Sequence, residues 1–280
     1  MIAFASNSLL CRAALTQTNI DAASFTFVRI VSGAAALWIV LKMQRRLRVE
    51  RTASPLVERS AGTWLSALAL FVYAAGFSFA YNTLAAGTGA LLLFGAVQAT
   101  MILWGLGRGE RLHAIQIVGL VAAVTGLVVL VFPGLSTPPL IGSILMLAAG
   151  VAWGIYSLRG KGEKHPASAT AGNFLRALPM AAAVSIMLVP WARLDLAGIS
   201  YAALSGAITS GLGYVIWYRA LGGLKAASAA TVQLSVPVLA AAGGILLLGE
   251  PITLRYVLAS IAVLGGIALV VIEKQPITTD

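Results

Sequence analysis

The sequence predicts an all-α polytopic membrane protein whose ten transmembrane helices form two inverted five-helix repeats around a central cavity. Three observations lead there. First, 59% of the 280 residues are apolar and only 10% are charged, with a mean hydropathy of +0.93, more hydrocarbon than a soluble domain of this length can hide. Second, the apolar runs have helical length: a crossing takes about 20 residues, so the chain has room for about ten. Barrel strands would alternate apolar and polar residues, and Ile115 to Phe132 does not. Third, the chain repeats itself: Phe27-Val28-Arg29 returns as Phe174-Leu175-Arg176, and Arg12 returns as Arg159 at the same spacing.

Taken in order, crossings are expected near 2 to 19, 22 to 42, 61 to 84, 87 to 106, 112 to 132, 139 to 158, 168 to 190, 197 to 218, 226 to 248 and 253 to 272. The first run starts at Met1 without a basic leader or a clear small-residue cleavage site, so it is expected to stay as a helix. Lys and Arg collect in cytoplasmic loops. Lys42, Arg45, Arg46, Arg48, Arg51, Arg59, Arg108, Arg111, Arg159, Lys161, Lys164, Arg219, Lys225 and Lys274 fall on one face, whereas Arg12, Arg193 and Arg255 fall on the other. Both termini are therefore expected in the cytoplasm of a multi-pass inner-membrane protein. The net charge of +10 belongs with an anionic inner leaflet and not with nucleic acid, for which there is no soluble basic domain.

Further matches extend the repeat: Tyr81 with Tyr218, Gln98 with Gln233, and Gly109-Glu110 with Gly249-Glu250. The copies divide near residue 135, giving 1–135 and 136–280. Five crossings is an odd number, so the second copy enters the membrane upside down. Secondary transporters recurrently use this plan, rocking two such units around a site near the midplane.

Ala152-Trp153-Gly154-Ile155-Tyr156 with Arg159, and Leu234-Ser235-Val236-Pro237-Val238 running to Leu248-Gly249-Glu250-Pro251-Ile252, resemble the patterns of EamA-type carriers of the drug/metabolite transporter superfamily. The likeness covers nearly the whole chain and is strongest to the YddG-like bacterial aromatic amino-acid exporters. It implies an inner-membrane metabolite exporter with a cavity lined by helices 1 to 4 and 6 to 9. One departure is Ile102 in the first copy where the second has Pro237.

Side chains within the crossings point to the same middle region. Tyr73, Phe77 and Tyr81 recur every four residues and make one aromatic stripe. The second copy presents Ser210, Tyr214 and Tyr218 at matching positions with Trp217 beside them, so the facing walls suit an aromatic solute, interior packing or an interfacial belt. Gln98 and Gln233 need partners, because an unpaired amide in hydrocarbon costs about 2 kcal/mol or more; the partner is either a solute or another helix. Asn7, Trp153 and Tyr156 sit on the first helices of the two copies and complete the candidate binding set. Arg29 and Arg176 lie well inside crossings, where each either grips a substrate carboxylate or clamps the fold. Pro179 and Pro237 are candidate hinges. Glu110 and Glu250, each after a glycine, read as boundary residues.

All nine carboxylates fall at helix ends, in loops or in the tail. None is available at mid-depth to carry protons, which favours facilitated diffusion. His113 and His165 lie near the surface and Cys11 is the only cysteine, so neither catalytic chemistry nor a metal or other cofactor is expected. The partners expected are a small-molecule substrate and the lipid bilayer, with oligomeric state left open. Neutral or aromatic amino acids lead as substrates. The alternatives are other small metabolites, cationic drugs or a pore-type channel.

Overall fold

A computed structural model describes residues 1–49, 62–109, 111–132, 137–161, 163, 165–221 and 232–272. Glu50, Arg51, Glu58, Arg59, Glu110, Lys164, Lys225, Glu273, Lys274, Asp280 and the start of the crossing expected at 226 to 248 lie outside the described residues.

The described chain runs α1 (Ile2–Gln17), α2 (Ala22–Val49), α3 (Trp64–Tyr81), α4 (Ala86–Gly107), α5 (Ala114–Val131), α6 (Leu140–Gly160) and α7 (Pro166–Met187). A 3-10 turn, Val189–Trp191, leads to α8, which begins as Leu196–Leu204, passes through a π-helical stretch, Ser205–Leu212, and resumes as Gly213–Leu221. The last two helices are α9 (Ser235–Leu248) and α10 (Leu254–Ile272). Among the described residues, seven helices are long and apolar enough to cross a membrane, namely α2 to α6, α8 and α10. The chain is a multi-pass membrane protein.

Local chemistry sets the helix ends. Thr63 caps α3 by accepting the Ser66 amide at 3.2 Å, and Asp195 caps α8 through the Gly198 amide at 3.1 Å. Before α5, the Gln116 side chain reaches back to the His113 amide at 2.9 Å, closing a capping box. Gly109 and Gly249, the repeated glycines, have φ of +89° and +65°, where a side chain would be strained.

Packing follows a paired pattern. α2 lies on α7, α5 on α10 and α4 on α9, while α6 touches α3 and α4 just as α1 touches α8 and α9. Gln116 donates to the Val270 carbonyl at 2.9 Å and ties α5 to α10. Large apolar side chains such as Trp38, Val118, Ile141 and Leu246 face outward, as lipid-facing residues do. The polar residues Asn7, Arg29, Ser205, Thr209 and Ser210 are buried instead, reversing the order of a soluble protein.

Candidate functional site

α1, α3, α6 and α8 converge on a closed aromatic cluster centred on Trp153. Its ring lies 4.7 Å from Tyr73 and 4.8 Å from Tyr214, on opposite walls, and 5.5 Å from Tyr156. Phe77 continues the α3 wall, 5.5 Å from Tyr73 and 4.7 Å from Tyr81. Trp217 joins through Phe4, at 5.9 Å.

A polar seam runs along this cluster. Asn7 donates through Nδ2 to the Tyr73 hydroxyl at 3.2 Å and accepts at Oδ1 from Ser205 at 2.6 Å and Thr209 at 3.0 Å. Arg29 enters from α2, donating Nη2 to the same Tyr73 oxygen at 3.0 Å and Nε to Ser210 at 3.1 Å. Its guanidinium also lies over the rings of Tyr73 and Phe77, 5.1 and 4.9 Å from their centroids. Cation–π contact and hydroxyls thus hold a charge that is only 1% exposed.

Tight backbone contact sets this geometry. A Cβ on Gly206 would meet the Arg29 carbonyl and the Ser32 hydroxyl, so glycine is what lets α2 and α8 come together there. The neighbouring π-helical stretch carries Ser205, Thr209 and Ser210. Such stretches recur at functional sites because they re-aim side chains.

All of the proposed substrate-binding side chains are buried. Asn7, Tyr73, Phe77, Trp153, Tyr156, Tyr214 and Trp217 come together. Tyr81 sits at the end of the stripe, with its hydroxyl on the Ala86 carbonyl at 3.2 Å. Gln98 and Gln233 meet each other, Nε2 to Oε1, at 3.4 Å. Arg29 and Arg176 are not equivalent: Arg176 is partly exposed and bonds the Gly172 carbonyl of its own helix at 3.0 Å. Pro179 lies inside α7 on an exposed face, whereas Pro237 falls at the third position of α9, where helix amides have no intrahelical acceptor. Sequence reasoning missed Phe4, Ser205 and Thr209. The signal for the last two is the run Ser205-Gly206 with Thr209-Ser210-Gly211, a small and polar patch inside an apolar crossing.

The two ends of the bundle are closed differently. At one, Arg12 pairs with Glu250 at 3.1 Å and bonds the Tyr81 carbonyl at 2.8 Å, while Glu250 accepts the Ala86 amide at 2.8 Å. At the other, Arg159 bonds Ser66 at 2.9 Å and Thr63 at 3.2 Å. These residues line a cavity of about 90 Å³ together with Tyr156, Asn173 and Tyr218.

The bundle thus buries a polar seam at its centre and carries an ion pair at one end. Residues 140–272, the second half of the chain, match the EamA-like transporter family. It is 56% identical over 274 residues to an uncharacterized protein of Pseudomonas aeruginosa, covering 98% of this chain and 92% of that one. An uncharacterized transporter of Archaeoglobus fulgidus is 30% identical over 62% of this chain and 63% of its own. The uncharacterized transporter YoaV of Bacillus subtilis is 23% identical over 87% of this chain and 85% of its own. One crystal structure superposes over 96% of the chain and 94% of its own length with a TM-score of 0.64 at 18% identity, a likeness of fold. The matched family and two of these relatives are named as transporters.

Proposed function

We propose that this transporter exports small metabolites across the bacterial inner membrane, neutral or aromatic amino acids foremost, by alternating access between 1–135 and 136–280. The observation that carries this reading is the buried aromatic cluster shared by α1, α3, α6 and α8, in which Trp153 bridges rings from both copies. Aromatic walls with hydroxyl and amide tips suit an amphiphilic solute of amino-acid size.

The helix contacts support two inverted repeats of five crossings. Exchanging the copies turns α6 on α3 into α1 on α8, and α6 on α4 into α1 on α9, while α2 on α7 maps onto itself. With ten crossings and both termini in the cytoplasm, Arg12 and Glu250 lie at the outer end and the cavity beside Arg159 opens inward. The resemblance of the Trp153 and Pro237 motifs to YddG-like exporters favours aromatic amino acids. The central seam contains Arg29 and hydroxyls but no carboxylate among the described residues, which favours facilitated diffusion.

Counterflow in proteoliposomes tests the proposal. Preloaded phenylalanine should drive saturable uptake of labelled phenylalanine, equal with and without an imposed pH gradient. Trp153→Ala should abolish it. Uptake that never saturates would indicate a pore, and acceleration by the pH gradient would overturn uncoupled transport.

A further inference from the structure

Arg29 is the charged residue of the central seam, and packing leaves its chemistry incomplete. A guanidinium carries five N–H donors. Nε and Nη2 are bonded to Ser210 and Tyr73, but Nη1 is buried with no hydrogen-bond partner. The buried Tyr214 hydroxyl lies beside Tyr73 and Ser210 without a well-formed hydrogen bond to either. Tyr214 follows Ser210, the Nε partner, by four residues on α8, so the two groups belong to one wall of the cluster. The other buried side-chain atoms without a well-formed hydrogen bond, among the described residues, are the hydroxyls of Ser8 and Ser260.

A structural role does not account for Arg29. A clamp would spread its donors over backbone carbonyls, as Arg12 does on Tyr81 and Asn82. Arg29 instead bonds two hydroxyls and faces two rings. The ion pair found among the described residues is the distant one between Arg12 and Glu250. A buried cation without an anion is costly, and the matching Arg176 of the second copy is partly exposed where Arg29 is buried. The Arg29 site is therefore a property of one copy, as an asymmetric solute requires and a symmetric scaffold does not.

We propose that Arg29 receives the carboxylate of the transported solute through Nη1, with the Tyr214 hydroxyl as second donor and the rings of Tyr73, Phe77 and Trp153 enclosing the apolar part. This rests on the carrier reading and narrows it: the substrate class is organic carboxylates, and amines or amides of the same shape are excluded. The aromatic cluster is closed, so the solute enters as the walls part, and Arg29 stays bound to Tyr73 and Ser210, aimed for recognition.

Binding to the purified full-length chain tests this, read by tryptophan fluorescence, since Trp153 contacts both phenol rings. The probes are phenylalanine against phenylalaninamide and benzoate against benzamide. The acids should bind about tenfold or more tightly than the amides, the scale of a charge-assisted hydrogen bond. Arg29→Gln should erase that preference. Should Arg29→Gln fail to fold, Tyr214→Phe, which keeps the ring, decides by narrowing the gap. Equal binding of acid and amide by the native chain overturns the proposal. So does a preference left intact in folded Arg29→Gln, or left intact in Tyr214→Phe where the first variant does not fold. Counterflow of the same solutes separates this outcome from failure of the carrier reading. Acids that bind but never exchange sink the carrier and leave the site, whereas amides exchanging as fast as acids sink the site and leave the carrier.

Discussion

Asn7 makes three hydrogen bonds in the central seam, to Tyr73, Ser205 and Thr209, from α1. Asn7→Ala leaves the Ser205 hydroxyl without its acceptor in hydrocarbon, and the expected loss of stability is about 1 to 3 kcal/mol. Thermal melting in detergent reads this directly, and an unchanged midpoint would mean the seam reorganises freely. In the sequence, Asn7 stood out as an amide in an apolar run, and so did Gln98 and Gln233. Their partners did not stand out, because a polar side chain in lipid advertises its need and not its mate. Ser205 and Thr209 carried only the weak signal of a small and polar patch, because Ser and Thr in apolar helices commonly bond a carbonyl of their own helix, as Thr209 also does with Ser205 at 2.7 Å. Arg29 and Arg176 looked alike because a repeat in sequence records ancestry, whereas burial depends on what each helix packs against.

Among the helices, hydropathy finds the membrane and not the whole helix. The crossing expected at 22 to 42 continues as α2 to Val49, through basic residues that end the apolar run but not the hydrogen bonding. The π-helical stretch of α8 was invisible for the same reason, since hydrogen-bond register leaves no mark on composition. Gly206 tests how much that stretch depends on close contact. Helix propensity alone makes replacement of glycine favourable, and Gly107→Ala, with nothing within 4 Å of the added carbon, should gain or hold stability. Gly206→Val should instead destabilise by about 1 to 3 kcal/mol as α2 is pushed away. A neutral Gly206→Val in the same melting assay would show that the approach is not required. Asp21, just before α2, makes a pH prediction at the same scale. Partial burial pushes its carboxyl up, but hydrogen bonds from Ser24, Arg193 and Ala23 outweigh this and hold it below the usual carboxylate range. A depressed folded value means the contribution is complete above the unfolded pKa of about 3.9 and is lost as pH falls through the folded one. Melting midpoints of the native chain should therefore drop in that acid window, and Asp21→Asn should remove this part of the decline. Parallel curves for the two proteins would reject it.

At the scale of the molecule, the repeat predicts that Arg12 and Arg159 perform the same task at opposite ends, yet they are engaged differently. Arg12 holds an ion pair and a backbone carbonyl, whereas Arg159 holds two hydroxyls beside a cavity. On the proposed alternating-access mechanism, that inequality corresponds to one end being closed, since two identical ends would leave no direction of access. The lock can be read without any substrate. Cys11, the chain's only cysteine, is fully buried one residue before Arg12. Glu250→Gln removes the charge of the pair and weakens its hold on Arg12 while preserving shape. If the pair contributes about 1.4 kcal/mol to closure, the open population rises about tenfold. Labelling of Cys11 by a water-soluble maleimide should accelerate by a similar factor in Glu250→Gln and by at least as much in Arg12→Gln, which also loses the bonds to the Tyr81 and Asn82 carbonyls. Unchanged labelling in both would mean that the aromatic stripe ending at Tyr81, and not the ion pair, keeps this end shut.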